Sequence, residues 1–171
     1  MRSKKERKNA KALKRALKLA TRKHKGQFRV GGLPYVTHPV AVAEIVAEWG
    51  YGLPYQLAAL FHDLLEDTNA TEAEIRAFGG KVVLDAVKRL TKQEGYVMAD
   101  YVAAIRESDI ARVVKAADRL HNLRCATVTS EAFKQRYVKE TLDWYMDFAP
   151  EILPAVKALA ESMETPVALN F

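Results

Sequence analysis

Apolar residues recur at three- and four-residue spacing along nearly the whole chain, and the few glycines and prolines punctuate those runs, so the pattern predicts an all-α domain. No segment alternates apolar and polar residues as a half-buried strand does. A first helix is expected from Lys4 to His24, with Ala10, Leu13, Leu17 and Ala20 facing inward and lysines around the rest. A loop from Gly26 to Thr37, containing Gly31, Gly32 and Pro34, separates it from a second helix opened by His38-Pro39. Val40, Ala43, Ile45 and Val46 give that helix its buried side, and Trp49-Gly50-Tyr51-Gly52 closes it. A third helix is expected over Pro54 to Glu66, and Thr71-Glu72-Ala73-Glu74 reads as a capping box for a short fourth that Gly79-Gly80 stops. The periodicity places further helices over Val82–Thr91, Ala99–Glu107, Asp109–Ala126, Ser130–Phe148 and Pro150–Ser162. No repeat, low-complexity tract or linker interrupts the series.

At 171 residues and 49% hydrophobic, the chain can bury one core, so a single domain over residues 1–171 is expected. The lone cysteine, Cys125, has no internal disulfide partner, and no apolar run reaches the length of a membrane span or a secretory signal. Those features point to a cytoplasmic protein without a membrane partner. The net charge of +6 is uneven: residues 1–25 carry 12 of the 27 basic residues and one acid, Glu6, which leaves 15 basic and 20 acidic residues elsewhere. The excess belongs to one helix and not to the body. No aromatic residue within residues 1–27 could stack on bases, so a nucleic-acid partner is not expected, and the basic helix reads as a solvated face.

The residues able to do chemistry interrupt apolar helices. His62 and Asp63 follow Leu57-Ala58-Ala59-Leu60-Phe61 and precede Leu64-Leu65; Glu66 and Asp67 come one turn later. If the helix is continuous, this gathers three carboxylates beside an imidazole, an arrangement too costly to bury without a partner. A second cluster follows Val113, Val114, Ala116 and Ala117, with Asp118 and Asn122 four residues apart on one face. With His38, the chain offers two imidazoles and two aspartates from three elements, a donor set suited to Mn, Fe, Zn or another borderline divalent ion.

Five segments stand in order between about Ala16 and Arg124. These are Gly26-Gln27-Phe28-Arg29 with Gly32-Leu33-Pro34-Tyr35-Val36-Thr37-His38-Pro39, then Ala58-Ala59-Leu60-Phe61-His62-Asp63-Leu64-Leu65-Glu66-Asp67-Thr68, then Phe78-Gly79, Leu90-Thr91-Lys92, and Val114-Lys115-Ala116-Ala117-Asp118-Arg119-Leu120-His121-Asn122-Leu123-Arg124. In these segments the chain resembles the HD superfamily, in particular the hydrolase domain of RelA/SpoT alarmone enzymes and their stand-alone small relatives. The resemblance implies an HD-type helical bundle in which His38, His62, Asp63 and Asp118 hold one divalent metal, Mn²⁺. It implies Glu66 and Asp67 as the acids that activate water, and Arg29 and Asn122 as nucleotide contacts. Tyr35 and Lys115 are further substrate-contact candidates from the same segments. The activity so implied is hydrolysis of the 3′-pyrophosphate of guanosine tetra- or pentaphosphate, giving GDP or GTP and pyrophosphate. Only four histidines are present, which favours one metal.

Two departures bear on the substrate. Val30 stands where relatives often carry a basic residue, and Cys125 where a threonine is common. They keep open hydrolysis of another phosphorylated nucleotide; the basic helix keeps open a non-catalytic nucleotide- or RNA-binding module. No residues beyond Phe171 are available for a synthetase domain and no phosphate-binding glycine loop occurs, so synthesis is not expected. The sequence leaves the oligomeric state open. Cys125 is expected to be a small buried residue, and Trp144, Tyr145 and Phe148 to belong to the core.

Overall fold

A computed structural model describes residues 3–164. Helix α1 (Lys4–Lys23) starts where Ser3 and Glu6 close a reciprocal capping box, which stabilises such a helix by about 1 kcal/mol. Its buried side is Ala16, Leu19 and Ala20, with Leu13 half-buried against the core. Leu17, expected inside, remains 38% exposed. The inward arc is therefore rotated, because two alanines allow a close approach to the rest of the bundle.

Helix α2 (Thr37–Glu48) begins after a tight loop in which Arg29 N–H donates to the Leu33 carbonyl at 2.8 Å and Phe28 and Pro34 form an isolated bridge. Gly31 and Gly32 sit at φ 95° and 87°, where a side chain is strained, so the turn depends on them. Helix α3 (Leu53–Phe61) buries Leu57 through Phe61 without interruption. The expected continuous helix to Glu66 breaks here. His62 and Asp63 form a turn, Asp63 relaxes to φ −97°, ψ −5°, and a single turn α4 (Leu64–Asp67) follows.

Helix α5 (Glu72–Leu90) opens on the Thr71/Glu74 capping box and bends sharply at Gly80, whose φ of 71° and ψ of −169° lie outside any helical region. The Gly79-Gly80 stop is thus a kink between two helical arms. Helices α6 (Met98–Arg106) and α7 (Asp109–Cys125) follow, and α7 runs through the middle, touching α2, α3, α5, α6 and α9. After a 3₁₀ turn at Ala126–Val128 come α8 (Glu131–Trp144) and α9 (Ile152–Glu161). Helix α8 ends four residues earlier than expected because Tyr145 and Phe148 turn inward, their rings edge to face at 5.1 Å. Both are buried, whereas Trp144 is only partly covered.

The buried apolar side chains form one contiguous cluster, with Phe61, Leu64, Ile75, Ile105, Leu120, Leu123 and Ile152 at its centre. The bundle is all-α: among the described residues no strand forms. Nor is any described helix long and apolar enough to cross a membrane.

Candidate active site

Three elements deliver the polar residues to one place. His38 enters from the first turn of α2, His62 and Asp63 from the turn between α3 and α4, and Asp118 from the middle of α7. His38 Nε2 lies 3.1 Å from Asp118 Oδ1 and 3.6 Å from Asp63 Oδ2. His62 Nε2 lies 3.0 Å from Asp63 Oδ2 and 3.8 Å from Asp118 Oδ1. Donor atoms around one cation at bond lengths of ~2.1 Å stand roughly 3 to 4.2 Å apart, so all four separations fit a shared ion. His38, His62 and Asp118 are buried and their ligand atoms lie within 4.8 Å of one another; Asp63, outside that trio, is the more open neighbour of the two histidines.

Ring orientation supports the same reading. His62 Nδ1 lies 2.7 Å from the Ala59 carbonyl, an acceptor, so Nδ1 carries the proton and Nε2 is turned to the carboxylates. That Nε2 is buried and makes no hydrogen bond. A buried imidazole nitrogen with its opposite nitrogen held by a carbonyl is a typical metal-ligand arrangement. His38 Nδ1 lies 2.8 Å from His121 Nδ1, and His121 Nε2 lies 3.5 Å from Cys125 Sγ.

The carboxylates are held ionised. Burial pushes Asp118 up, but the Lys115 ammonium, at 2.9 Å, and the two histidines hold it well below the usual carboxylate range. Burial likewise pushes Asp63 up, and His62 outweighs it, bringing the group to about 2. Burial pulls His38 down. His62, although burial opposes its charge, is carried up to about 9 by Asp63 and Asp118. The two acids thus favour positive charge at this point of the cluster.

Glu66 and Asp67 approach the cluster from α4. Glu66 Oε2 accepts the Lys92 backbone N–H at 2.8 Å, which ties α4 to the end of α5. Asp67 is raised above the usual aspartate value by burial and then by Asp63 and Glu66. Tyr35 donates its hydroxyl to Asp63 Oδ2 at 2.8 Å and lies 3.5 Å from Asp67 Oδ2. Asn122 donates to Asp118 Oδ1 at 2.7 Å and accepts from Arg29 at 3.0 Å. Every residue singled out for chemistry in the sequence thus converges on this region. The break at His62-Asp63 changes how: Glu66 and Asp67 reach the region from the separate turn α4, not from one helix continuous with α3.

Two cavities meet here. One, of about 310 Å³, is lined by His38, Asp63, Glu66, Asp67, Lys92, Lys115 and Asp118. The other, of about 850 Å³, is lined by Phe28, Val30, Leu33, Cys125, Val128 and Phe133 together with Arg29. Tyr35, Asn122 and Phe133 belong to both walls. Phe28, Val30, Leu33 and Val128 are all more than half exposed on this apolar wall. Cys125 is not the buried residue expected; it is half-exposed on the same wall, since α7 ends there. His24 is buried at the end of α1, bonded through Nδ1 to Gln27, whose amide donates to the Asp67 carbonyl.

Sequence reasoning missed the contribution of α8. Phe133, Arg136, Tyr137 and Glu140 line the polar cavity. Arg119, buried, stacks between Tyr137 and Tyr145 at 4.2 Å from each ring centroid and pairs with Glu140. The i, i+3, i+4, i+7 spacing of Phe133, Arg136, Tyr137 and Glu140 marks one face of a helix, but only the docking of α8 turns that face to the site.

Comparison with known proteins agrees with this geometry. The family model described as "HD domain" matches residues 16–151. The chain belongs to the HD domain family. The match extends past Arg124, so α8 and its contribution to the cleft fall within the HD domain. A guanosine-3′,5′-bis(diphosphate) 3′-pyrophosphohydrolase of Haemophilus influenzae is 38% identical over 137 residues, covering 74% of this chain and 20% of that one. The bifunctional (p)ppGpp synthase/hydrolase SpoT of Escherichia coli is 36% identical over 150 residues, covering 81% of this chain and 21% of that one. A probable GTP pyrophosphokinase of Mycobacterium leprae is 37% identical over 144 residues, 79% of this chain and 18% of that one. The chain spans about a fifth of the length of these relatives. Among solved structures, one described as a metazoan ortholog of SpoT that hydrolyzes ppGpp superposes with a TM-score of 0.72 at 24% identity, covering 88% of this chain and 94% of that one. That likeness shows the same HD fold.

Proposed function

We propose that this HD domain hydrolyses the 3′-pyrophosphate ester of guanosine tetra- or pentaphosphate, with His38, His62, Asp63 and Asp118 holding one Mn²⁺. The observation that carries the reading is the joining of the two cavities: a pocket rich in carboxylates shares the walls Tyr35, Asn122 and Phe133 with a mainly apolar pocket roomy enough for a nucleoside. A nucleotide fits such a cleft with its purine on the apolar wall and its phosphates toward the acids. The relatives named as pyrophosphohydrolases and synthase/hydrolases support the choice of substrate.

A divalent ion bound by this set supplies positive charge against a phosphoryl oxygen and lowers the pKa of a bound water. The chain's own residues account for the rest. Glu66, anchored by the Lys92 N–H, and Asp67, made more basic than a free aspartate by burial and by Asp63 and Glu66, form an acidic pair placed to take a proton from water. Tyr35 orients Asp63 and Asp67 by its hydroxyl. Lys115 neutralises one oxygen of Asp118. Lys92 and Arg136, in the wall of the polar cavity, offer charge to the departing pyrophosphate. Arg29 and Asn122, bonded to each other at the junction of the pockets, are placed to contact the nucleotide between base and phosphates.

A second reading, hydrolysis of another phosphorylated nucleotide, is favoured by the apolar character of the base wall, where Val30 and Cys125 offer no strong polar selection for guanine. The decisive experiment incubates purified protein with guanosine tetraphosphate and a panel of other nucleotides in Mn²⁺, Mg²⁺ or Zn²⁺, and assays pyrophosphate and phosphate separately. Pyrophosphate release from the alarmone, strongest in Mn²⁺ and lost in Asp63→Ala, is expected. Turnover of a different nucleotide alone would move the assignment to the second reading. No turnover of any nucleotide would leave the binding-module reading.

A further inference from the structure

Of the four histidines, His121 has the geometry that a second metal ligand would lack and a support for one would need. It lies on α7 three residues after Asp118, and its ring faces that of His38 at 5.0 Å between centroids. The contact is made by the two Nδ1 atoms, 2.8 Å apart, so one of them donates and the other accepts. His38 Nε2 faces Asp118 and Asp63, where a lone pair is needed to bind a cation. A neutral imidazole with a free Nε2 carries its proton on Nδ1, which makes His38 the donor and His121 Nδ1 the acceptor. The same logic then puts the His121 proton on Nε2, and that nitrogen faces Cys125 Sγ at 3.5 Å, an acceptor of suitable softness. The protons along this line are thus all in one direction, from His38 through His121 to the thiol on the base-pocket wall.

We propose that His121 is a positioning residue for the metal site: by accepting from His38 Nδ1–H it fixes the tautomer and ring orientation that present Nε2 to the cation. The inference rests on the metal reading of the four-residue cluster. A partner at the far nitrogen of a ligating histidine typically changes metal affinity 10- to 100-fold. The acceptor can be separated from the bulk of the ring, because the Oδ1 of an asparagine stands the same number of bonds from Cβ as the Nδ1 of a histidine. His121→Asn therefore keeps an acceptor for His38, while His121→Ala removes it.

The test measures Mn²⁺ binding to metal-free, full-length protein by calorimetry or by the electron paramagnetic resonance of free Mn²⁺, independently of any turnover. Thermal melting of the metal-free variants serves as the control for folding. The expected result is a loss of affinity of roughly 10- to 100-fold in His121→Ala and recovery to within about threefold of wild type in His121→Asn. In the wild-type protein, ¹⁵N NMR of the histidine rings should show the His38 proton on Nδ1. Equal affinities in all three proteins, or equal loss in both variants, would overturn the inference while leaving the metal reading intact. Failure of the wild-type protein to bind Mn²⁺ would overturn both.

Discussion

A histidine buried in an apolar helix has two ring nitrogens to satisfy, and the way His62 does so governs the chemistry around it. Its Nδ1 is taken by the Ala59 carbonyl, one turn back, so only Nε2 can change state. Asp63 and Asp118 raise the ring to about 9, so in the metal-free protein at pH 7 it is protonated. Coordination requires the neutral ring, and a cation must therefore displace that proton. We expect Mn²⁺ binding at pH 7 to release about one proton per ion, measurable as the dependence of the binding enthalpy on buffer ionisation enthalpy. Below about 9 the proton competes with the metal, so affinity should rise as pH is raised from 7 toward 9. A binding constant independent of pH over that interval would contradict the assignment of Nε2 as a ligand atom. Asp63 and Asp118 are already ionised there, since their shifts are downward, and they contribute no release of their own.

At the scale of elements, function depends on where helices fail to continue. The turn at His62-Asp63 separates α3 from α4 and lets an adjacent histidine and aspartate face the same point, which an ideal helix prevents by rotating neighbours about 100° apart. This break was not legible in the sequence, because Leu57 to Leu65 is uniformly apolar around the pair and contains neither glycine nor proline. The kink in α5 was legible, because Gly79-Gly80 interrupts a helical pattern at a defined place. Gly80 adopts φ 71° and ψ −169°, and a Cβ at Gly79 would run into the Val83 side chain, so the two glycines do different jobs. Gly80→Ala is expected to destabilise the protein by about 1 to 3 kcal/mol through backbone strain, read as a lower urea midpoint with unchanged slope. A neutral result would mean that the kink is free to move. Tertiary packing also decided what periodicity left open: α1 presents Leu19, not Leu17, to the core.

At the scale of the whole molecule, the proposed ligand set could be picked out by residue type and resemblance, but the cleft could not, since it is assembled from segments nearly a hundred residues apart. Arg29 meets Asn122 across the mouth, and Arg136, Tyr137 and Glu140 reach the polar cavity only because α8 docks on Arg119 and the α7 end. The same dispersal makes the site a clasp between α2, the α3–α4 turn and α7, elements that otherwise touch through the core. A cation bound to the folded chain alone must stabilise the whole bundle, by about 2.7 kcal/mol when its free concentration is 100 times its dissociation constant. For a domain of this size each kcal/mol corresponds to roughly 2 to 4 °C, so Mn²⁺ at that level should raise the melting temperature by about 5 to 11 °C over a chelator-treated sample. Asp63→Ala should melt at the same temperature with and without Mn²⁺, since its loss removes one corner of the ligand set while leaving the buried core untouched. An equal rise in wild type and variant would place the stabilising ion elsewhere on the surface and remove the link between this cluster and the fold.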